Sequence, residues 1–182
     1  MNKKRFINET LSSKILYKGK LVNIRKDIVK SEKSQFSREI VEHRGAVAIV
    51  PVIGNSIVMV KQFRHGAKKD MLELPAGTLE KNENPNDCAK RELAEETGYN
   101  AGSLRKLLEF YVAPGYNTEV IHVYLATDLT ISVQQLEKDK DEDIDVLEIN
   151  VDGLLRMIEK NEITDAKSIA GILYYHNFIK TI

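Results

Sequence analysis

A chain of 182 residues that is 42% hydrophobic and 30% charged can bury a sizeable core and is too apolar to be disordered. Its 27 Lys and Arg balance 27 Asp and Glu, so the basic excess that usually marks nucleic-acid binders is missing. One cysteine, Cys88, excludes an internal disulfide and a Cys-rich zinc site. The longest uncharged apolar stretch, residues 45–60, is broken by Pro51, Gly54, Asn55 and Ser56 and is too short to span a bilayer. No signal-peptide apolar region follows the basic start Lys3-Lys4-Arg5. The expectation is a cytoplasmic protein that engages neither nucleic acid nor membrane.

In chain order, Ile15-Leu16-Tyr17, a turn at Lys18-Gly19-Lys20 and Leu21 to Ile24 read as a hairpin. Apolar and charged residues then roughly alternate from Phe36 to His43, and a soft boundary falls near His43-Arg44. It separates a small N-terminal β region, 1–43, from the remainder, 44–182. The β-branched and small apolar run Ala46 to Ile53 predicts a strand covered on both faces. Gly54-Asn55 turns it into a hairpin partner at Ile57 to Val60. Asn84-Pro85 supplies an N-cap and a proline at the first helical position, and Gly98 closes that helix after Thr97. Strand-like runs follow at Leu107 to Val112 and Val120 to Ala126. Asp152 predicts the cap of a short helix through Lys160, and Asp165 that of a helix over Ala166 to Ile179. Strands and helices in mixed order, with hairpins, indicate an α+β or mixed α/β fold.

The chemistry concentrates in 77–99, G-T-L-E-K-N-E-N-P-N-D-C-A-K-R-E-L-A-E-E-T-G-Y. Glu92, Glu95 and Glu96 stand at i, i+3 and i+4, on one face of the predicted helix, where like charges repel. A bare E-x-x-E-E is most often a solvated acidic face. Here it follows Leu74-Pro75-Ala76-Gly77, a strand end that lets backbone approach a ligand, and it is flanked by Glu83 and Arg91. Hard divalent cations with oxygen ligands are the obvious compensators.

This segment resembles the Nudix hydrolases, whose signature is G-x5-E-x7-R-E-U-x-E-E-x-G-U with U a bulky apolar residue. Gly77, Glu83, Arg91, Glu92, Leu93, Glu95, Glu96 and Gly98 all match in place, and Tyr99 is aromatic where an aliphatic residue is usual. The resemblance implies a Nudix-type α/β/α sandwich over 44–182 and a divalent-metal hydrolase, using Mg²⁺ or Mn²⁺, that splits a nucleoside diphosphate linked to another moiety. By the same likeness Glu92 and Glu96 are the main metal ligands with Glu95 close by, and the Ala76 carbonyl is a backbone ligand. Glu83 and Arg91 support them.

Three further strings resemble the ADP-ribose pyrophosphatases within that family: Val60 to Ala67, Glu73 to Gly77, and Pro114, which lies 16 residues after Gly98. Tyr116 occupies a place near the tyrosine of the dinucleoside polyphosphate subfamily, but the two upstream blocks favour the proline reading. Ser37 to His43 is similar to the N-terminal region through which such enzymes form homodimers and hold adenine. The likeness implies base contacts from Arg38 and Glu39, in the chain's own site or the partner's, and a phosphate or ribose contact from Arg64. In the acidic run 137–145 it implies a general base, Glu142, with Asp141 or Asp143 if the register slips. The expected reaction gives AMP and ribose 5-phosphate from ADP-ribose. The alternatives are another sugar nucleotide such as GDP-mannose, or an ADP-ribose-sensing module without activity, although sensing modules tend to have eroded boxes. His65 and His122 read as surface or satisfied core residues. Cys88 reads as filler, and Tyr174, Tyr175 and Phe178 as core.

Overall fold

The computed structural model describes residues 9–132 and 144–180. The chain divides into two compact units, one of Met1–Gly45 with Tyr111–Val120 and one of Ala46–Phe110 with Ile121–Ile182.

In the first unit β1 (Glu9–Lys18), β2 (Asn23–Lys30) and β3 (Gln35–Glu42) form an antiparallel sheet in that order. The segment Tyr111–Val120 joins it by backbone bonds: the Val41 N–H donates to the Tyr116 carbonyl at 2.7 Å, and the Thr118 N–H donates to the Val41 carbonyl at 3.0 Å. Asp27, buried at 5% exposure, accepts from the Ser13 hydroxyl at 2.7 Å and from Arg25, which also pairs with Glu42. Strand β1 is exposed along its whole length. Its register skips Leu11 and Leu16, two bulges of the kind that re-aim side chains at a sheet edge.

The second unit is built on a mixed sheet of order β10-β5-β4-β9-β8, with β6 beside β5 and β7 beside β4. These are β4 (Ala46–Ile53), β5 (Ser56–Arg64), β6 (Lys69–Glu73), β7 (Ala76–Thr78), β8 (Tyr99–Tyr111), β9 (Val120–Ile131) and β10 (Ile144–Asn150). β4 runs parallel to β9 and is buried on both faces, as its apolar run predicts. Alternate residues of β4 feed two cores. Ala46, Ala48 and Val50 pack with Leu154 of α2 (Val151–Glu159) and Ile172 of α3 (Ala166–Phe178). Val47 and Ile49 pack with Cys88, Ala89 and Leu93 of α1 (Pro85–Thr97). Helices on both faces of one sheet make the α/β/α sandwich that the sequence resemblance implies.

Several local expectations need correction. β8 begins at Tyr99, directly after the helix cap, rather than at Leu107; the strand expected to end at Leu74 to Gly77 is two short strands, β6 and β7, and β10 has no counterpart among the expected elements. Helix α2 is capped by Asn150, whose side chain accepts the Asp152 N–H at 3.0 Å, so Asp152 sits in the first turn instead. Phe178 is 61% exposed and lies outside the core, with Tyr174 against it at 4.9 Å, whereas Tyr175 is buried. Among the described residues no helix is long and apolar enough to cross a membrane.

Candidate active site

The site is made where β7 meets α1. Helix α1 starts as its sequence dictates, with the Asn84 side chain accepting the Asn86 N–H at 2.8 Å and Pro85 in the first turn. It ends at Gly98, whose φ of 73° is a left-handed conformation that glycine adopts without strain. The buried side of α1, led by Leu93, anchors it on the sheet, worth about 2 kcal/mol for that leucine alone. The acidic residues are left beside β7.

Arg91 organises them. Its Nε and Nη2 donate to the two oxygens of Glu83 at 2.9 and 3.0 Å, and its Nη1 donates to Glu92 at 2.7 Å and Glu95 at 2.9 Å. The repulsion expected from the i, i+3, i+4 acids is therefore offset in part by an internal guanidinium. Glu83 also accepts the Glu80 N–H at 2.8 Å, which fixes the loop before the helix. The guanidinium, outweighing the penalty of burial, holds the Glu83 carboxyl at about 2. Glu96, only 4% exposed, accepts the Ala76 N–H at 2.9 Å and so ties the end of α1 to the start of β7. A Cβ on Gly77 would lie 1.9 Å from the Glu92 carboxyl carbon, so only glycine lets this backbone and that carboxylate approach so closely.

Hard-cation chemistry suits this donor set: three carboxylates and the neighbouring Ala76 carbonyl offer oxygen alone. As the side chains stand, no three acids among the described residues converge into a ready cage, since Arg91 Nη1 lies within hydrogen-bonding distance of both Glu92 and Glu95. The residues fit a divalent cation by chemistry and by the close approach at Gly77.

A second cluster adjoins the site through the 73–76 segment. Arg64 donates from Nε and Nη2 to the two oxygens of Glu73 at 2.8 and 2.7 Å, and Lys167 donates to Glu73 as well. Burial would raise the Glu73 carboxyl, but the hydrogen bonds from Arg64 and the charge of Lys167 hold it below the usual carboxylate range. Arg64 makes no hydrogen bond from Nη1 among the described residues, and its charge lies within electrostatic reach of Glu96. Sequence reasoning singled out Arg64 but missed the partners that hold it. Glu73 was legible within its block, whereas nothing in α3 advertises Lys167.

The remaining candidates fall elsewhere. Arg38 and Glu39 are exposed neighbours on β3, with the Arg38 guanidinium over the Phe36 ring at 4.4 Å. Pro114 lies exposed in the segment that joins the first unit. Asp141, Glu142 and Asp143 lie outside the described residues. Cys88 is buried, accepts a contact from Arg91 at 3.4 Å, and has its thiol pushed far up by burial, so it is no nucleophile.

The family model described as the NUDIX domain matches residues 42–170. An ADP-ribose pyrophosphatase of Bacillus subtilis (strain 168) is 40% identical over 168 residues, 91% of each chain. A methanol dehydrogenase activator of Bacillus methanolicus is 38% identical over 94% of each chain. A GDP-mannose pyrophosphatase of Citrobacter koseri is 37% identical over 67% of each. In fold, the chain is similar to the crystal structure of an ADP compounds hydrolase, with a TM-score of 0.86, 20% identity and 98% of each chain covered. The signature residues folded around Arg91 and the match across the sandwich lead to one assignment: the chain belongs to the Nudix family.

Proposed function

We propose that the protein hydrolyses the diphosphate of ADP-ribose to AMP and ribose 5-phosphate. The observation that carries the substrate is coverage. Likeness to the Bacillus subtilis ADP-ribose pyrophosphatase runs over 91% of both chains, whereas that to the Citrobacter koseri GDP-mannose pyrophosphatase stops at 67%. ADP-ribose, GDP-mannose, NADH and diadenosine polyphosphates, each offered with Mg²⁺ and resolved by product chromatography, test it. ADP-ribose should be consumed fastest, and faster turnover of GDP-mannose would overturn the choice.

Nudix hydrolases work with divalent metal, and we assign Mg²⁺, with Mn²⁺ as a substitute, to Glu92, Glu95, Glu96 and the Ala76 carbonyl. When bound, the cation neutralises the diphosphate and acidifies the attacking water. The chain's own residues do the rest. Arg91 and Glu83 keep the carboxylates oriented, and Glu96 fixes the Ala76 peptide. Arg64, held by Glu73, turns Nη1 to a phosphate or ribose oxygen. Pro114 lines the substrate, and Arg38 with Glu39 contacts adenine. Glu142 takes the proton as the new O–P bond forms and the bridging P–O bond breaks, leaving the electron pair on the departing phosphate.

The N-terminal region, 1–43, is assigned to a homodimer contact. It rests on the exposed apolar side chains Leu11, Ile15, Leu16, Tyr17 and Leu21, 43 to 57% exposed, on a three-stranded sheet. A cytoplasmic setting accords with a single buried, unpaired thiol.

A further inference from the structure

Outside the signature, charged side chains cluster where the first turn of α3 meets the end of β6. Glu73 has 2% of its side chain exposed and Lys167 14%. Asp165, the N-cap of α3, accepts from Lys167 at 2.9 Å, from the Ser168 N–H at 2.9 Å and from the Ser168 hydroxyl at 2.5 Å. Ser168 Oγ in turn accepts the Leu74 N–H at 2.7 Å. The pair Glu73-Leu74 is therefore gripped by α3 twice, once through a side chain and once through the backbone. Ordering a partly buried lysine costs rotamer freedom, and burying the Glu73 carboxylate costs more unless it is paired. Capping a helix needs none of this.

Lys167 balances the charge of the cluster. Glu73 and Asp165 carry two negative charges, and Arg64 and Lys167 carry two positive ones. Without Lys167 the cluster is left with one net negative charge, beside the partly exposed Arg64 side chain. The Glu73 carboxylate also loses its second anchor and can rotate with Arg64 attached. With Lys167 present, Arg64 is pinned at Nε and Nη2 and keeps Nη1 available at 38% side-chain exposure.

We propose that Lys167 is a positioning residue: it fixes Glu73 from α3, so that Arg64 presents Nη1 to the anionic substrate in one orientation. The inference rests on Arg64 touching substrate, as assigned above.

The test uses Lys167→Met and Lys167→Arg in the full chain, alone and combined with Arg64→Gln. The substrate is ADP-ribose, or GDP-mannose if the substrate panel favours it. Lys167→Met should raise KM about tenfold with kcat within about threefold, the pattern for losing binding common to ground and transition states. Lys167→Arg, which keeps charge and donors, should restore KM. In the Arg64→Gln background Lys167→Met should add less than about twofold, because the two act in one chain of contacts. A readout free of turnover is the exchange protection of the Arg64 Nε–H by ¹⁵N NMR without substrate or metal. It should fall in Lys167→Met and persist in Lys167→Arg, which also separates pinning from misfolding. An unaltered Nε–H, or a tenfold KM cost that survives in full in the Arg64→Gln background, would overturn the role of Lys167 alone. An unchanged KM in Arg64→Gln by itself would overturn the substrate contact and the proposal with it.

Discussion

Arg91 shows how one residue can serve three acids. Its fork on Glu83 sets the guanidinium plane, and only then can Nη1 reach Glu92 and Glu95. Because the Glu83 carboxyl falls from its ordinary 4.5 to about 2, it contributes stability that is present above about pH 4.5 and lost as pH drops toward 2. Thermal melts between pH 6 and pH 3 should show Tm falling in that window, and Glu83→Gln should flatten that part of the curve; an unchanged profile would contradict the pairing. Glu96 has a different task. A glutamine there can still accept the Ala76 N–H but cannot supply an anionic oxygen, so Glu96→Gln should keep the fold and lower kcat by about 10²-fold or more. Near-normal turnover would sink the metal assignment. Glu142→Gln should reduce kcat by about 10²- to 10⁴-fold with little change in metal or ADP-ribose binding. Normal kcat in Glu142→Gln, Asp141→Asn and Asp143→Asn alike would return the run to a charged surface.

Elements differ in how openly the sequence declares them. Helix α1 carries its own punctuation, Asn84-Pro85 and Gly98, and both serve as caps, so helix and signature could be read together. β4 was legible because a run buried on both faces needs no partner to be recognised. Strand β7, three residues long, is too short for any period, and its place comes from β4, where Val47 opposes Gly77. β10 alternates poorly and follows an acidic run, so pairing with β5, not its own pattern, makes it a strand. The grip of α3 on Glu73 was hidden for a similar reason: the partners are 94 residues apart and meet only in the fold. That packing is tight. A Cβ on Gly171 would meet the Leu74 methyl at 2.6 Å and Val50 at 3.3 Å, both in the core. Gly171→Ala should therefore destabilise by about 1–3 kcal/mol in urea unfolding, and a neutral effect would show that α3 can slide off the site-bearing segment.

At the scale of the whole molecule, the chain pairs a sandwich that carries the signature residues with a small sheet whose first strand is exposed throughout. A three-stranded sheet that leaves Leu16 at 51% and Tyr17 at 57% exposure gains by covering them. Sedimentation at micromolar concentration should give a dimer, and Leu16→Asp should shift it to monomer. A wild-type monomer with normal ADP-ribose affinity would refute the shared-site assignment of Arg38 and Glu39. Hydrolysis of ADP-ribose is best tested by kcat/KM for ADP-ribose against GDP-mannose, measured with Mg²⁺ and by identified products. ADP-ribose should yield equal amounts of AMP and ribose 5-phosphate, be clearly preferred, and give neither product on chelation. No AMP from ADP-ribose, or a higher kcat/KM for GDP-mannose, would contradict that assignment.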